Sequence, residues 1–172
     1  MNSDLLAAAA IASPQYEPSA YWSDARPGRD YASVLRAFTG LGRPDETPER
    51  WRVISPALNT ERIRAPLLMQ LPEQEARAAA ELYARLSATP TPVELYAFPD
   101  EAHVKMQPRH REAVYCRSLD WFRYWLQDHV DPDPAKHAQY ERWQALRLRR
   151  DRAHSSNERS QVSADASSSS RM

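Results

Sequence analysis

The sequence predicts an α/β domain, a mostly parallel sheet with helices packed on it. Two apolar runs carry this reading: Pro66 to Gln70, and Val93 to Phe98, the second bounded by prolines. Each is followed by a segment with helical spacing, Glu75 to Leu86 and Pro108 to about Asp128. Strand, helix, strand, helix with short connectors implies parallel pairing and a layered architecture.

The elements follow in order. Residues 5–12 read as a short buried strand ending before Pro14, and residues 14–30 as an irregular loop. Tyr31 to Phe38 reads as a helix with Val34, Leu35 and Phe38 on one side, ended by Gly40-Leu41-Gly42. Thr47-Pro48-Glu49 reads as an N-cap, a proline at the first helical position and an early acid, opening a short helix through Ile54. In the 75–86 helix, Ala78, Leu82 and Leu86 repeat at i, i+4, i+8. In the helix from Pro108, the inner face is read as Tyr115, Leu119, Phe122 and Leu126, broadened by Trp121 and Trp125.

Asp131-Pro132-Asp133-Pro134 is a break. The sequence therefore divides into a domain over 1–130, a charged helical extension over 131–150 and a Ser-rich tail over 151–172. The tail is nearly free of large apolar residues. It cannot bury enough surface to offset ordering entropy and is read as disordered.

Composition excludes several classes. The formal net charge is zero, so no global field favours nucleic acid or an anionic membrane. The single Cys116 excludes a disulfide framework within the chain and a Cys-rich metal site, and its helix suggests a buried, inert thiol. No run approaches the ~18 apolar residues of a transmembrane helix. No cofactor or metal is implied, and the expected location is cytoplasmic.

The chemistry-bearing residues gather after the strands. His103 follows the 93–98 strand, and Glu75 follows the 66–70 strand. In open α/β sheets, functional groups cluster past the carboxyl ends of strands. An acid followed by a histidine at two such ends forms the back half of a Ser…Asp/Glu…His triad. Glu75 also suits a helix N-terminus, where the macrodipole favours an acid. Glu73, Asp100 and Glu101 are rival acids, the last two read as loop caps or surface charges. Lys105, Arg109, His110 and Arg111 form a basic cluster, read first as a solvated helix start and second as a clamp for a substrate carboxylate.

Asp100-Glu101-Ala102-His103 spells the box of one helicase class. That box needs a phosphate loop with a Gly-Lys pair, and no glycine lies beyond Gly42. A nucleophile is also missing. G-x-S-x-G does not occur; Ser13 and Ser55 each precede a proline and have no glycine neighbour.

Several stretches together resemble the C-terminal part of the prolyl oligopeptidase (S9) catalytic domain, and within it the lasso peptide isopeptidases. They are Ser55-Pro56-Ala57-Leu58-Asn59, Ile63 to Gln70, Pro92 to Leu95, and Phe98-Pro99-Asp100-Glu101 with His103 and Lys105. Gln107-Pro108 with His110, and Leu119 to Phe122 with Trp125-Leu126, complete the match over residues 4–130. The loop Leu71 to Glu75 lacks the glycine of the broad S9 pattern.

The resemblance implies a partial α/β-hydrolase fold, with a C-terminal helix and the tail appended. It implies a serine-type peptidase acting on amide bonds, with His103 as base and Glu75 as the acid holding it. In the isopeptidase branch the bond joins an N-terminal amine to an Asp or Glu side chain. The resemblance places the nucleophile strand and a β-propeller upstream of Met1, as in a truncated or split gene or one with a misplaced start. The chain is then expected to be inactive alone, with a peptide substrate (a lasso peptide in that branch) and an N-terminal half of a split enzyme as partners. The alternatives are a non-catalytic module docking on a partner and a decayed fragment.

Overall fold

The computed structural model describes residues 5–13, 17–24 and 31–169. It divides into two compact units, 1–130 and 131–172. The first unit is built on a three-stranded parallel sheet in the order β1 (Ala9–Ile11), β2 (Leu67–Pro72), β3 (Val93–Phe98). The pairing runs Ala9 to Leu67 and Leu67 to Val93, so Pro72 lies opposite Phe98 and the two longer strands end level.

Side chains alternate across β2. Leu67, Met69 and Leu71 join a core with Ala76, Ala79, Leu82, Leu86 and Val93. Val93 belongs to β3, and the others come from two short helices, α4 (Glu73–Ala78) and α5 (Ala80–Ser87), and from Ala79 between them. The sequence reads them as one helix; Ala79 departs from helical geometry (φ −87°, ψ 1°) and divides it. Gln70 points to the other face. Its amide donates to Val114 O and Ser118 Oγ on α6 (Pro108–Gln127), and Arg117 of that helix donates to Gln70 Oε1 and stacks 3.6 Å from the Tyr96 ring centre. Helices thus cover both sheet faces, as the parallel reading requires.

β1 is shorter than the expected 5–12 strand and only half-buried, with Leu5 and Leu6 exposed. It is an edge strand and pairs on one side alone among the described residues.

Residues 14–16 and 25–30 of the expected loop lie outside the described residues. Between them Pro18–Asp24 is a helix, α1. α2 (Tyr31–Thr39) ends at Gly40, whose φ of 68° is the left-handed conformation glycine adopts cheaply. Of its expected apolar side, Leu35 is buried but Val34 and Phe38 are exposed. Leu35 packs with Tyr21, Leu41 and Trp51, the last from α3 (Pro48–Ile54). Thr47 holds the N-cap position without capping. Its hydroxyl accepts from Gly42 N and donates to Arg43 O, tying the preceding turn instead.

α6 corrects the expected inner face. Asp120, Trp121 and Tyr124 are buried, while Tyr115, Leu119 and Leu126 are exposed. Cys116 is exposed too, not the buried thiol expected. The recorded contact with the sheet runs through Val114, Arg117 and Ser118, a stripe rotated from the purely apolar one, because polar Gln70 recruits polar partners on the helix.

In the second unit, α7 spans His137–Ser169 and passes the expected end near Arg149 into the stretch read as disordered. Residues 135–169 contain no glycine or proline to end a helix, although they carry few apolar residues beyond Leu148. Tyr140 and Trp143 are buried. Among the described residues no helix is long and apolar enough to cross a membrane.

Candidate active site

The site lies where β2 and β3 end. Because those ends are level, three residues past Pro72 and five past Phe98 bring Glu75 and His103 together. Glu75 sits in the first turn of α4. β3 closes at Phe98, and Asp100 takes a left-handed conformation (φ 52°) in the turn that follows.

His103 Nδ1 lies 2.6 Å from Glu75 Oε1. A carboxylate only accepts, so Nδ1 carries the hydrogen and Nε2 is left as the basic nitrogen. The imidazole is 64% exposed, whereas Glu75 is 16% exposed. The acid is anchored in the fold and the base faces outward. A half-buried acid that fixes the tautomer of an accessible histidine can assist proton transfer from a hydroxyl presented to Nε2.

The rival acids separate. Glu73 forms an i, i+4 pair with Arg77 on the surface of α4. The Glu101 carboxylate turns inward and its side chain is 1% exposed. Oε2 accepts from Met106 N at 2.7 Å, and Oε1 accepts from Gln107 N at 3.1 Å and from His110 Nδ1 at 2.7 Å. Burial pushes this carboxyl up, but the Met106 amide, His110 and the Gln107 amide outweigh it and hold the group below its ordinary range. Gln107 Nε2 also donates to Asp100 O. The loop from 99 to 108 is therefore closed on itself, with His103 at its outer turn.

The basic cluster divides as well. Arg109 and Arg111 are exposed, as a solvated helix start would be. Lys105 is buried and His110 half-buried, its ring 5.2 Å from that of Phe98. The inward role of Glu101, Lys105 and His110 was not read from the sequence. The available signal was an acid six residues before the Gln107-Pro108 helix start, placed to accept the free amides there. Ser55 is buried and donates to Glu17, which also accepts from Ala57 N, so this serine serves packing.

A parallel sheet with an acid past one strand and a histidine past the next defines an α/β-hydrolase-type partial domain. The chain belongs to the prolyl oligopeptidase family, whose model (Peptidase_S9) matches residues 1–129. It is 47% identical over 103 residues, 60% of the chain, to the lasso peptide isopeptidase AtxE2 of Asticcacaulis excentricus. The unliganded AtxE2 structure superposes with a TM-score of 0.73 at 39% identity over 87% of the chain. A variant of AtxE2 with astexin3-dC4 bound matches equally well. The chain corresponds to 15% of the curated AtxE2 sequence and 22% of the solved chain.

Proposed function

We propose that this chain is the acid–base portion of a serine-type peptidase. His103 Nε2 takes the proton from a serine hydroxyl as it attacks an amide carbonyl and returns it to the leaving amine. Glu75 holds the imidazole and stabilises the imidazolium. The observation that carries this is the Nδ1 contact at 2.6 Å, which dedicates one ring nitrogen to the acid and leaves the other for the substrate side. The likeness to lasso peptide isopeptidases supports a peptide substrate whose scissile bond joins an amine to an Asp or Glu side chain.

The nucleophile is not in this sequence in an elbow context. The outer edge of β1, unpaired among the described residues, is where a strand bearing one can add, since an edge strand offers a row of free N–H and C=O groups. The chain alone is then inert, and the serine-bearing segment of a family member is its functional partner.

The test is covalent labelling. The chain is mixed with a separately expressed G-x-S-x-G segment of the family and treated with a hydrolase-directed fluorophosphonate. Serine labelling that needs both pieces and is lost in His103→Ala supports the proposal. Binding of the two pieces without labelling points instead to a non-catalytic docking module. Labelling of a serine in this chain by itself contradicts the proposal.

A further inference from the structure

Glu75 spends one oxygen on His103 and leaves the other in an unusual state. Oε2 is buried and makes no hydrogen bond among the described residues. A buried carboxylate oxygen without a partner is costly unless a cation offsets it. Lys105 is in electrostatic reach of Glu75 and of Glu101. Lysine is among the residues least often buried, yet this one is 8% exposed.

Its environment is built. The Lys105 ammonium lies 5.4 Å from the centre of the Phe98 ring, on the last residue of β3. Glu101, on the same loop, is fixed by the Met106 and Gln107 amides and by His110, so it cannot swing away. The titratable groups that act electrostatically on the ammonium are Glu75 from α4 and Glu101 from the loop, and His103 and His110 are hydrogen-bonded to those two carboxylates.

We propose that Lys105 is a positioning residue for the acid–base pair. Set against the Phe98 ring and within electrostatic reach of Glu101, its ammonium offsets the unbonded oxygen of Glu75 and holds that carboxylate in the orientation His103 uses. Lys105 touches no reacting atom and acts through Glu75. This inference rests on reading Glu75 and His103 as the acid and base. Burial pushes the Lys105 ammonium below the ordinary lysine range, and Glu75 and Glu101 offset part of that effect.

The test is NMR titration of the full chain, which has only two lysines, Lys105 and Lys136, so a lysine label assigns readily. Glu75→Gln should lower the Lys105 midpoint by about half a pH unit or more, because the ammonium loses an opposite charge. Lys105→Met should raise the His103 midpoint by a similar amount, and Lys105→Arg should restore it. A lysine that merely packs its stem on Phe98 would change the melting temperature and neither midpoint.

Unmoved midpoints in both Glu75→Gln and Lys105→Met would overturn the proposal. If Lys105→Met does not fold, the Glu75→Gln arm reads the same coupling from the other side. Failure of the broader reading looks different. In that case the wild-type His103 ring would lack the Nδ1–H tautomer whatever Lys105 does.

Discussion

Glu101 Oε1 lies 2.7 Å from His110 Nδ1, with the two side chains 1% and 12% exposed. This pair closes the loop that carries His103, and the closure depends on Glu101 being ionised. Its carboxyl is held below its ordinary value of 4.5. A depressed carboxyl binds its proton less readily folded than unfolded. It therefore contributes stability above that ordinary value, and the contribution is lost as pH falls through the folded value. Glu101→Gln should flatten the acid limb of melting temperature against pH below about 4.5, read by circular dichroism. An unchanged limb would remove Glu101 from this role.

Glu17 should behave in the opposite sense. It is fully buried, and that burial pushes its carboxyl up to about 7, against the lowering effects of Ser55 and the Ala57 amide. A raised carboxyl favours the folded state while protonated. Its contribution is fully present below 4.5 and is lost as pH rises toward 7. Glu17→Gln should flatten the decline in melting temperature between these values. For a protein of this size, each kcal/mol recovered appears as about 2–4 °C.

Packing sets a sharp contrast between two apolar residues. Leu82 is buried in the core between α5 and the sheet, whereas Phe38 on α2 is 86% exposed. Leu82→Ala should cost about 2–5 kcal/mol in urea unfolding, and Phe38→Ala should stay within about 0.5 kcal/mol of the parent. Equal costs would mean that α2 buries its apolar side after all.

Cys116 should react with a thiol reagent in the native protein, because α6 exposes it. One equivalent released at once without denaturant is the expected reading. Release only after unfolding would restore the buried face read from the sequence.

The exposure of Cys116 lies beyond what local sequence signals specify. Both long strands, their parallel order and the meeting of Glu75 with His103 were legible, because short apolar runs bounded by prolines and an acid and a histidine after them are local signals. The face of α6 was not. Periodicity chose the most apolar stripe, but the sheet presents Gln70, and Gln70 selects Ser118 and the Val114 carbonyl. The sequence likewise places Lys105 in a solvated cluster, since nothing local shows that the folded loop buries it beside Phe98. The break at Ala79 lies inside an unbroken helical pattern and has no local signal.

The measurement that bears most directly on the acid–base pair is the tautomer of His103, read from long-range proton–nitrogen correlations of the histidine-labelled chain at a pH where the ring is neutral. The contact with Glu75 Oε1 predicts hydrogen on Nδ1 and a bare Nε2, reverting toward the Nε2–H form in Glu75→Gln. Hydrogen on Nε2 in the parent chain, unchanged by Glu75→Gln, would contradict the account.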